Sequence, residues 1–331
     1  MQIFWIFIGA SAVLLALVLL ISYICFRIGF YVPKRTPGKP EEILFPEGEV
    51  YERFREPSKK WVEETRSLPH EDVCITSFDG LKLWGSYYEL APGAPIELML
   101  HGYRGTAERD LPCGVRRAFR TGRSALVVDQ RCSSRSEGNV ITFGIKEHRD
   151  CLAWVDFMIE KFGPDVKIIL TGLSMGASTV LMAAGTELPE NVVGVLADCG
   201  FDSPKSIIKT VTKQMGLPAE LVYPFIKLGA RMYGGFDLEE TSAVEAVKRC
   251  KIPVIFFHGE SDDYVPCHMS RVNYEACASR KHLVTVPGAG HGLSYPVAPD
   301  RYVAEVKAFF GPEAARREDQ PVAEYAKKLL Q

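Results

Sequence analysis

The first 26 residues of the chain form an almost unbroken apolar run. No charged side chain precedes Arg27, and between Ile3 and Phe26 only one glycine, two serines and one tyrosine interrupt the run. A helix of this length is sufficient to cross the roughly 30 Å hydrocarbon core of a bilayer. The run has no basic residues before it, exceeds the usual length of a signal peptide and is not followed by an A-x-A cleavage site. The pattern therefore favours a retained single-pass membrane anchor at residues 1–31 over a cleaved signal peptide.

From about residue 71 the pattern changes to short apolar runs that alternate with longer helical patterns. The predicted strands are 71–77, 81–89, 95–100, 124–129, 166–171, 192–197, 252–257 and 282–286, and the predicted helices are 107–121, 145–162, 175–187, 266–279 and 297–310. The first two strands are joined by Asp79-Gly80, a strong hairpin signal. Because helices separate most of the later strands, we predict an α/β fold with a mostly parallel eight-stranded sheet flanked by helices.

The remaining segments divide the chain further. Residues 32–70 read as a proline-rich linker (32–46) followed by an amphipathic helix (47–67) that could be broken at Pro57. The connection at 199–250 is too long for one crossover, so we predict a helical lid there, inserted into a single domain that spans 71–311. Residues 312–331 form a mixed-charge tail with a possible short helix at 322–330.

Composition and charge exclude some functions. The 331 residues carry 39 Lys and Arg against 41 Asp and Glu, and this near-neutral balance argues against nucleic-acid binding. Basic residues follow the apolar run and none precedes it, so the positive-inside rule places the rest of the chain in the cytoplasm. Nine cysteines, with no paired spacing and no C-x-x-C motif, agree with a reducing compartment and give no support for zinc chemistry. We expect neither a metal nor an organic cofactor.

The strongest chemical motif is Gly172-Leu173-Ser174-Met175-Gly176, which lies between a predicted strand and a predicted helix. This context is typical of a nucleophile elbow, in which a strained turn exposes the serine. Gly172 and Gly176 would remove side chains that otherwise collide with the neighbouring elements. A glycine-rich turn without catalytic function is the alternative interpretation.

A nucleophilic serine needs a base, and the base needs a carboxylate to orient it. His291, on a glycine-rich loop after the last predicted strand, is the predicted base, whereas His101 and His258 are expected to shape the turns at strand ends. Asp262 is the predicted carboxylate. Asp263 and Glu260 stay open as alternatives, since either aspartate could instead cap a helix.

The tetrahedral intermediate of such a reaction needs two N–H donors. The backbone of Met175 is one candidate, and the backbone of Tyr103, in the loop after the third strand, is the other. Because Tyr103 would act through its main chain, replacing its side chain would be a poor test of this role.

Taken together, these motifs resemble those of the α/β-hydrolase superfamily over residues 71–311. They are His101-Gly102, Asp129-Gln130-Arg131, the elbow at Ser174, His258 to Asp262, and Gly290-His291, all in the family's order. The chain is most similar in pattern to bacterial membrane-anchored hydrolases of the serine aminopeptidase-like and prolyl-oligopeptidase-like group. One departure is Ser133-Ser134, which stands where the family often has His-Gly, so the nearby loop could be shaped differently. Cys132 in this stretch is expected to be an inert thiol.

The resemblance implies a serine hydrolase, and we expect it to cleave a carboxylic ester through an acyl-enzyme. A peptidase or aminopeptidase, which could hold a substrate amine with Asp237, Glu239 or Glu240 of the lid, is an alternative on the same triad, as is a thioesterase. The substrate would then be a small acyl ester or a peptide-like molecule. A catalytically silent, membrane-tethered binding scaffold is the alternative from a different class.

Overall fold

The computed structural model describes residues 1–33, 49–317 and 320–330. Most of the predicted linker at 32–46 lies outside these described residues. The strands are β1 Glu71–Thr76, β2 Lys82–Tyr88, β3 Ile96–Leu100, β4 Ser124–Val128, β5 Ile168–Leu173, β6 Val192–Asp198, β7 Val254–Gly259 and β8 Lys281–Val286.

The eight strands form one sheet in the order β1-β2-β4-β3-β5-β6-β7-β8. The β1–β2 and β2–β4 pairs are antiparallel, and every later pair is parallel. This confirms the predicted mostly parallel eight-stranded sheet. Strands β3 and β4 are buried along their whole length, as expected where helices cover both faces of a sheet.

The helices are α1 Gln2–Gly29, α2 Glu49–Ser67, α3 Ala107–Asp110, α4 Pro112–Arg120, α5 Glu147–Phe162, α6 Met175–Ala184, α7 Pro204–Gln214, α8 Ala219–Gly229, α9 Ala243–Val247, α10 His268–Ala276, α11 Ser294–Val297, α12 Pro299–Phe310 and α13 Glu324–Leu330. A π-helical turn, Ala230–Gly234, follows α8, and a short 3₁₀ turn, Pro312–Ala314, follows α12. Helices α5, α6, α9 and α10 pack together on one side of the sheet, and α4 packs with α12, α13 and α2 on the other.

Helix α2 continues through Pro57 and is not broken there. A proline inside a helix removes one backbone hydrogen bond, but α2 also packs against α4 and buries Val62. This packing compensates for the lost hydrogen bond and holds the helix in one piece.

Helix α1 is long and apolar enough to cross a membrane. Its first five turns leave large apolar side chains exposed, whereas Ser22 and Phe26 near its C-terminal end are buried against the rest of the protein. The approach is close, because a Cβ atom on Gly229 of α8 would lie 2.3 Å from the Ser22 carbonyl oxygen. One end of α1 is therefore part of the folded domain.

The predicted lid segment 199–250 contains two different structures. Helix α9 packs on α6, and the contact is so close that Gly185 has no room for a side chain beside Ala246. Helices α7 and α8 instead pack on each other, and α8 packs along α1. We use the word lid below for residues 204–234, which comprise α7, α8 and the π-helical turn.

Candidate active site

Ser174 lies on the sharp turn between β5 and α6. Its backbone has φ 56° and ψ −118°, a conformation that residues other than glycine rarely adopt. The glycines on either side are required by space, since a Cβ on Gly172 would lie 2.2 Å from the backbone of Gly176, and a Cβ on Gly176 would lie 2.1 Å from the Leu100 carbonyl oxygen. The turn holds the serine at the carboxyl end of the parallel sheet.

The structure brings Ser174, His291 and Asp262 into one hydrogen-bonded chain. The Nε2 atom of His291 is 2.8 Å from Ser174 Oγ, and its Nδ1 atom is 2.7 Å from Asp262 Oδ2. A carboxylate can only accept, so Nδ1 carries the proton and Nε2 is left to accept the serine proton. This is the arrangement that activates a serine as a nucleophile.

Asp262 is held from three further directions. Its Oδ1 atom accepts hydrogen bonds from the backbone N–H groups of Tyr264, at 3.0 Å, and Val265, at 2.8 Å. The fully buried His258 places Nε2 at 3.2 Å from Oδ2. Burial raises the pKa of Asp262, but hydrogen bonds from His258 and His291 outweigh it and lower the pKa to about 2. The carboxylate is therefore ionised at neutral pH, and neither Asp263 nor Glu260 takes its place beside His291.

Sequence reasoning assigned His258 only to a strand-end turn, and it missed the contact with Asp262. The His258 ring donates from Nε2 to the Val265 carbonyl at 2.8 Å, and its Nδ1 is 2.6 Å from Ser270 Oγ. The four-residue spacing from His258 to Asp262 was a signal that could have suggested this pair.

Tyr103 and Met175, which carry the two predicted N–H donors, line the same cavity as Ser174. Within the part of the chain that the structure describes, the backbone N–H groups of Tyr103 and Met175 have no acceptor. Met175 is the first residue of α6, where the helix dipole also favours negative charge. Two free donors beside a nucleophile are suited to stabilise an oxyanion.

The loop with Ser133-Ser134 supports the turn that carries Tyr103. The Ser133 hydroxyl donates to the Gly105 carbonyl oxygen, and Cys132 and Ser134 both have positive φ. Burial raises the pKa of the Cys132 thiol to about 12, so this cysteine is protonated at neutral pH.

A profile of the alpha/beta hydrolase family matches residues 98–305, which is more than half of the chain and includes the whole Ser174, Asp262 and His291 constellation. The chain belongs to the alpha/beta hydrolase family. This membership identifies the protein as an enzyme of the hydrolase type and confirms the superfamily resemblance drawn from the motifs. The narrower membrane-anchored, serine aminopeptidase-like group stays a prediction.

Two curated relatives share about a quarter of their residues with this hydrolase. The uncharacterized protein YqkD of Bacillus subtilis is 26% identical over 189 residues, which cover 57% of this chain and 62% of that protein, less than two thirds of its length. The uncharacterized protein Rv2307c of Mycobacterium tuberculosis is 26% identical over 224 residues, which cover 66% of this chain and 72% of that protein.

Solved structures show the same fold. The esterase Pf2001 of Pyrococcus furiosus superimposes with a TM-score of 0.62 at 21% identity, covering 85% of this chain and 99% of that one. Est1E of Butyrivibrio proteoclasticus, solved with ferulic acid bound, gives a TM-score of 0.55 at 21% identity, covering 72% and 97%. At these identities the likeness concerns the fold of this hydrolase.

Two cavities meet at Ser174 in this hydrolase. The first, which we call the α2 cavity, has a volume of about 360 Å³ and is walled partly by α2; His291, Arg55 and Arg109 line it. The Tyr51 hydroxyl of α2 accepts the His291 backbone N–H at 3.1 Å. Sequence reasoning placed α2 outside the catalytic domain, and its amphipathic pattern did not reveal this contact.

The second, which we call the lid cavity, has a volume of about 190 Å³ and lies between the lid and the C-terminal end of α1. Its walls are apolar, with Tyr103, Ser174, Thr212 and Tyr264 as the main polar contributors and no charged side chain among the described residues. The position of both cavities at Ser174 gives the two halves of a substrate separate places.

One buried thiol adjoins the cluster of Ser174, Asp262 and His291. The donor atoms of Cys199, Asp262 and His291 all lie within 4.8 Å of one another, the spacing of a metal site. Burial, and then the negative charges of Asp198 and Asp262, raise the pKa of the Cys199 thiol well above its ordinary range. Two of the three atoms, His291 Nδ1 and Asp262 Oδ2, are hydrogen-bonded to each other at 2.7 Å, and this bond accounts for their closeness.

Proposed function

We propose that the protein is a serine esterase that uses Ser174, His291 and Asp262 as its catalytic triad. The single observation that carries the proposal is the hydrogen-bonded chain from Ser174 Oγ through both nitrogens of His291 to Asp262. The strained elbow and the two free N–H donors support it, because an acyl transfer needs a nucleophile, a base and an oxyanion site together.

In this mechanism Ser174 Oγ attacks the acyl carbon, and its proton passes to His291 Nε2. The oxyanion is held by the N–H groups of Tyr103 and Met175. When the C–O bond breaks, His291 returns the proton to the departing alkoxide, which leaves as an alcohol. Water then attacks the acyl-enzyme, with His291 again as base, and releases the carboxylic acid and free Ser174.

The contacts of Asp237 and Glu239, which follow the lid in the chain, favour an ester substrate over a peptide with a free amino terminus. Asp237 pairs with Arg231, and Glu239 pairs with Lys227 at 2.6 Å and Lys205 at 3.1 Å. The hydrogen bond from Lys227 contributes most to lowering the pKa of Glu239, to about 2. These acids are neutralised by partners on the lid, and neither lines a cavity at Ser174. They are therefore poorly placed to hold a substrate amine.

A fluorophosphonate probe tests the proposal directly. Wild-type protein should be labelled, and Ser174→Ala should not. Ser178→Ala, which alters a buried serine one turn further along α6, is the matched control and should still be labelled. A folded wild-type protein that does not react with the probe would overturn the proposal and favour the silent scaffold. A short-chain p-nitrophenyl ester and an aminoacyl-naphthylamide, assayed side by side, then separate an esterase from an aminopeptidase.

We also propose that α1 is a retained membrane anchor and that the catalytic domain lies on the cytoplasmic side. A cleaved signal peptide would remove Phe26, which is buried in the folded domain. Arg27 follows the apolar run, as expected on the cytoplasmic side. Protease added to intact cells should leave the domain uncut; digestion there, with lysed cells as the positive control, would refute the orientation.

A further inference from the structure

The end of α1 is joined to the turn that carries the proposed oxyanion donor. The Tyr103 hydroxyl donates to the Gly29 carbonyl at 2.8 Å, and the Arg104 guanidinium donates to the Ile28 carbonyl at 2.8 Å. Phe30, which is 1% exposed, packs its ring edge-on against Phe143 and Phe236. The last turn of α1 is thus a fixed wall of the lid cavity.

The mouth of this cavity is apolar and lies beside α1. Ile28, Met215 and Leu217 line the cavity, yet they are 60%, 60% and 45% exposed. Side chains that line the cavity and are also exposed must lie at its opening. Ile28 belongs to α1 itself and follows the exposed Ile24 by one turn, so this apolar opening adjoins the exposed apolar surface of the helix.

The position of the lid along α1 sets the depth of the mouth. The lid contacts α1 from Leu19, whose carbonyl accepts the Tyr233 hydroxyl at 3.3 Å, to Phe26, whose ring packs against that of Tyr233. About 20 residues cross the hydrocarbon core, so a span that starts near Ile3 ends near Ser22. The uncharged run continues to Phe26, so Ile28 at the mouth lies about 3–9 Å past the hydrocarbon core, in the headgroup layer.

We propose that the substrate is a membrane-borne ester with one long acyl chain, and that this chain enters the lid cavity from the bilayer along α1. The inference rests on the proposed esterase function. An uncharged apolar cavity that ends at Ser174 fits an acyl chain, and the alcohol half would face the α2 cavity, where Arg55 and the ion-paired Arg109 and Asp110 lie. A peptide would leave its backbone polar groups unpaired in the lid cavity.

The expected preference for a long acyl chain is tested with full-length enzyme in phospholipid nanodiscs and a series of p-nitrophenyl esters from acetate to octanoate. Each methylene that enters the cavity should raise kcat/KM about fourfold until the cavity is full. A series that is flat, or that falls with chain length, overturns the inference.

Gly29 and Gly9 provide a matched pair of variants. A Cβ added at either glycine meets no atom within 4 Å, but only Gly29 lines the lid cavity. Gly29→Leu should lower the octanoate-to-acetate ratio of kcat/KM by about tenfold or more, and Gly9→Leu should keep the wild-type ratio. An unchanged ratio in Gly29→Leu, with the variant still labelled by fluorophosphonate, overturns the assignment of this cavity.

The bilayer route is tested with 1-monopalmitoylglycerol in proteoliposomes that carry the full-length enzyme. If the chain enters from the bilayer, the initial rate follows the mole fraction of this ester in the lipid and not its bulk concentration. A rate set by bulk concentration shows access from water and overturns the route. Failure of the esterase proposal has a different signature, since wild type would then hydrolyse no ester faster than Ser174→Ala, whatever the chain length.

Discussion

Replacing Asp262 with asparagine changes one carboxylate oxygen into an NH₂ group and tests which nitrogen of His291 carries the proton. The backbone N–H groups of Tyr264 and Val265 hold Oδ1, so the asparagine carbonyl must stay there. The new NH₂ group then replaces Oδ2, 2.7 Å from His291 Nδ1. A donor at this position forces the proton of His291 onto Nε2, which can no longer accept the proton of Ser174.

The expected loss in kcat is about 10⁴-fold, the scale of inverting the histidine tautomer in a serine triad. The assay is hydrolysis of p-nitrophenyl butyrate, with fluorophosphonate labelling rates as a second measure of serine activation. Asp263→Asn is the matched control, because Asp263 is the exposed neighbour of Asp262 and should leave kcat unchanged. A loss of less than about tenfold in Asp262→Asn, or an equal loss in Asp263→Asn, would refute the assignment.

The same variant tests the pKa of Asp262. A carboxyl group whose pKa falls from 3.8 to about 2 on folding contributes about 2 kcal/mol of stability. Because the folded-state pKa is the lower one, this contribution is complete above the unfolded-state pKa and is lost as pH falls from about 4 to about 2. Chemical unfolding at pH 7 and across this interval should show that wild type loses about 2 kcal/mol more stability than Asp262→Asn, since the other carboxylates titrate in both proteins. Equal pH dependence in both proteins would contradict the argument.

Two further substitutions test the geometry around the site. Gly176→Ala places a methyl group 2.1 Å from the Leu100 carbonyl oxygen and should destabilise the fold by about 3 kcal/mol. Thermal unfolding measures this loss, with Gly9→Ala, whose methyl group meets open space, as the control. Equal unfolding midpoints for the two variants would contradict the need for glycine at the elbow. Phe30→Ala removes a ring that is 1% exposed and should cost about 3–5 kcal/mol in the same measurement, whereas an unchanged midpoint would show that the end of α1 is only a tether.

The sheet and the chemistry at its carboxyl edge could be predicted because both depend on local patterns. Apolar runs separated by helical periodicity predicted all eight strands, and the elbow around Ser174 has a steric signature that can be read over five residues. His291 was predicted from its place after the last strand, whereas the sequence left Asp263 and Glu260 open as alternatives to Asp262.

The walls of the site could not be predicted in the same way. The apolar run of α1 has the same composition whether its last turn is free or docked, and only the tertiary structure shows Phe30 beside Phe143 and Phe236. The amphipathic pattern of α2 predicts one buried face but not the segment that covers it, so the contact of Tyr51 with His291 could not be predicted. Such contacts join segments far apart in the chain, and periodicity carries no information about them.

The docked end of α1 has a practical consequence for anyone who prepares this protein. Deleting an N-terminal apolar helix is the usual way to obtain a water-soluble fragment for crystals or for substrate screening. In this protein, removal of the residues before Val32 would delete the carbonyl oxygens that accept hydrogen bonds from Tyr103 and Arg104. It would also delete the Phe30 ring that packs against Phe143. A soluble fragment could retain its triad and still report the wrong preferred substrate, so screens should begin with the intact chain.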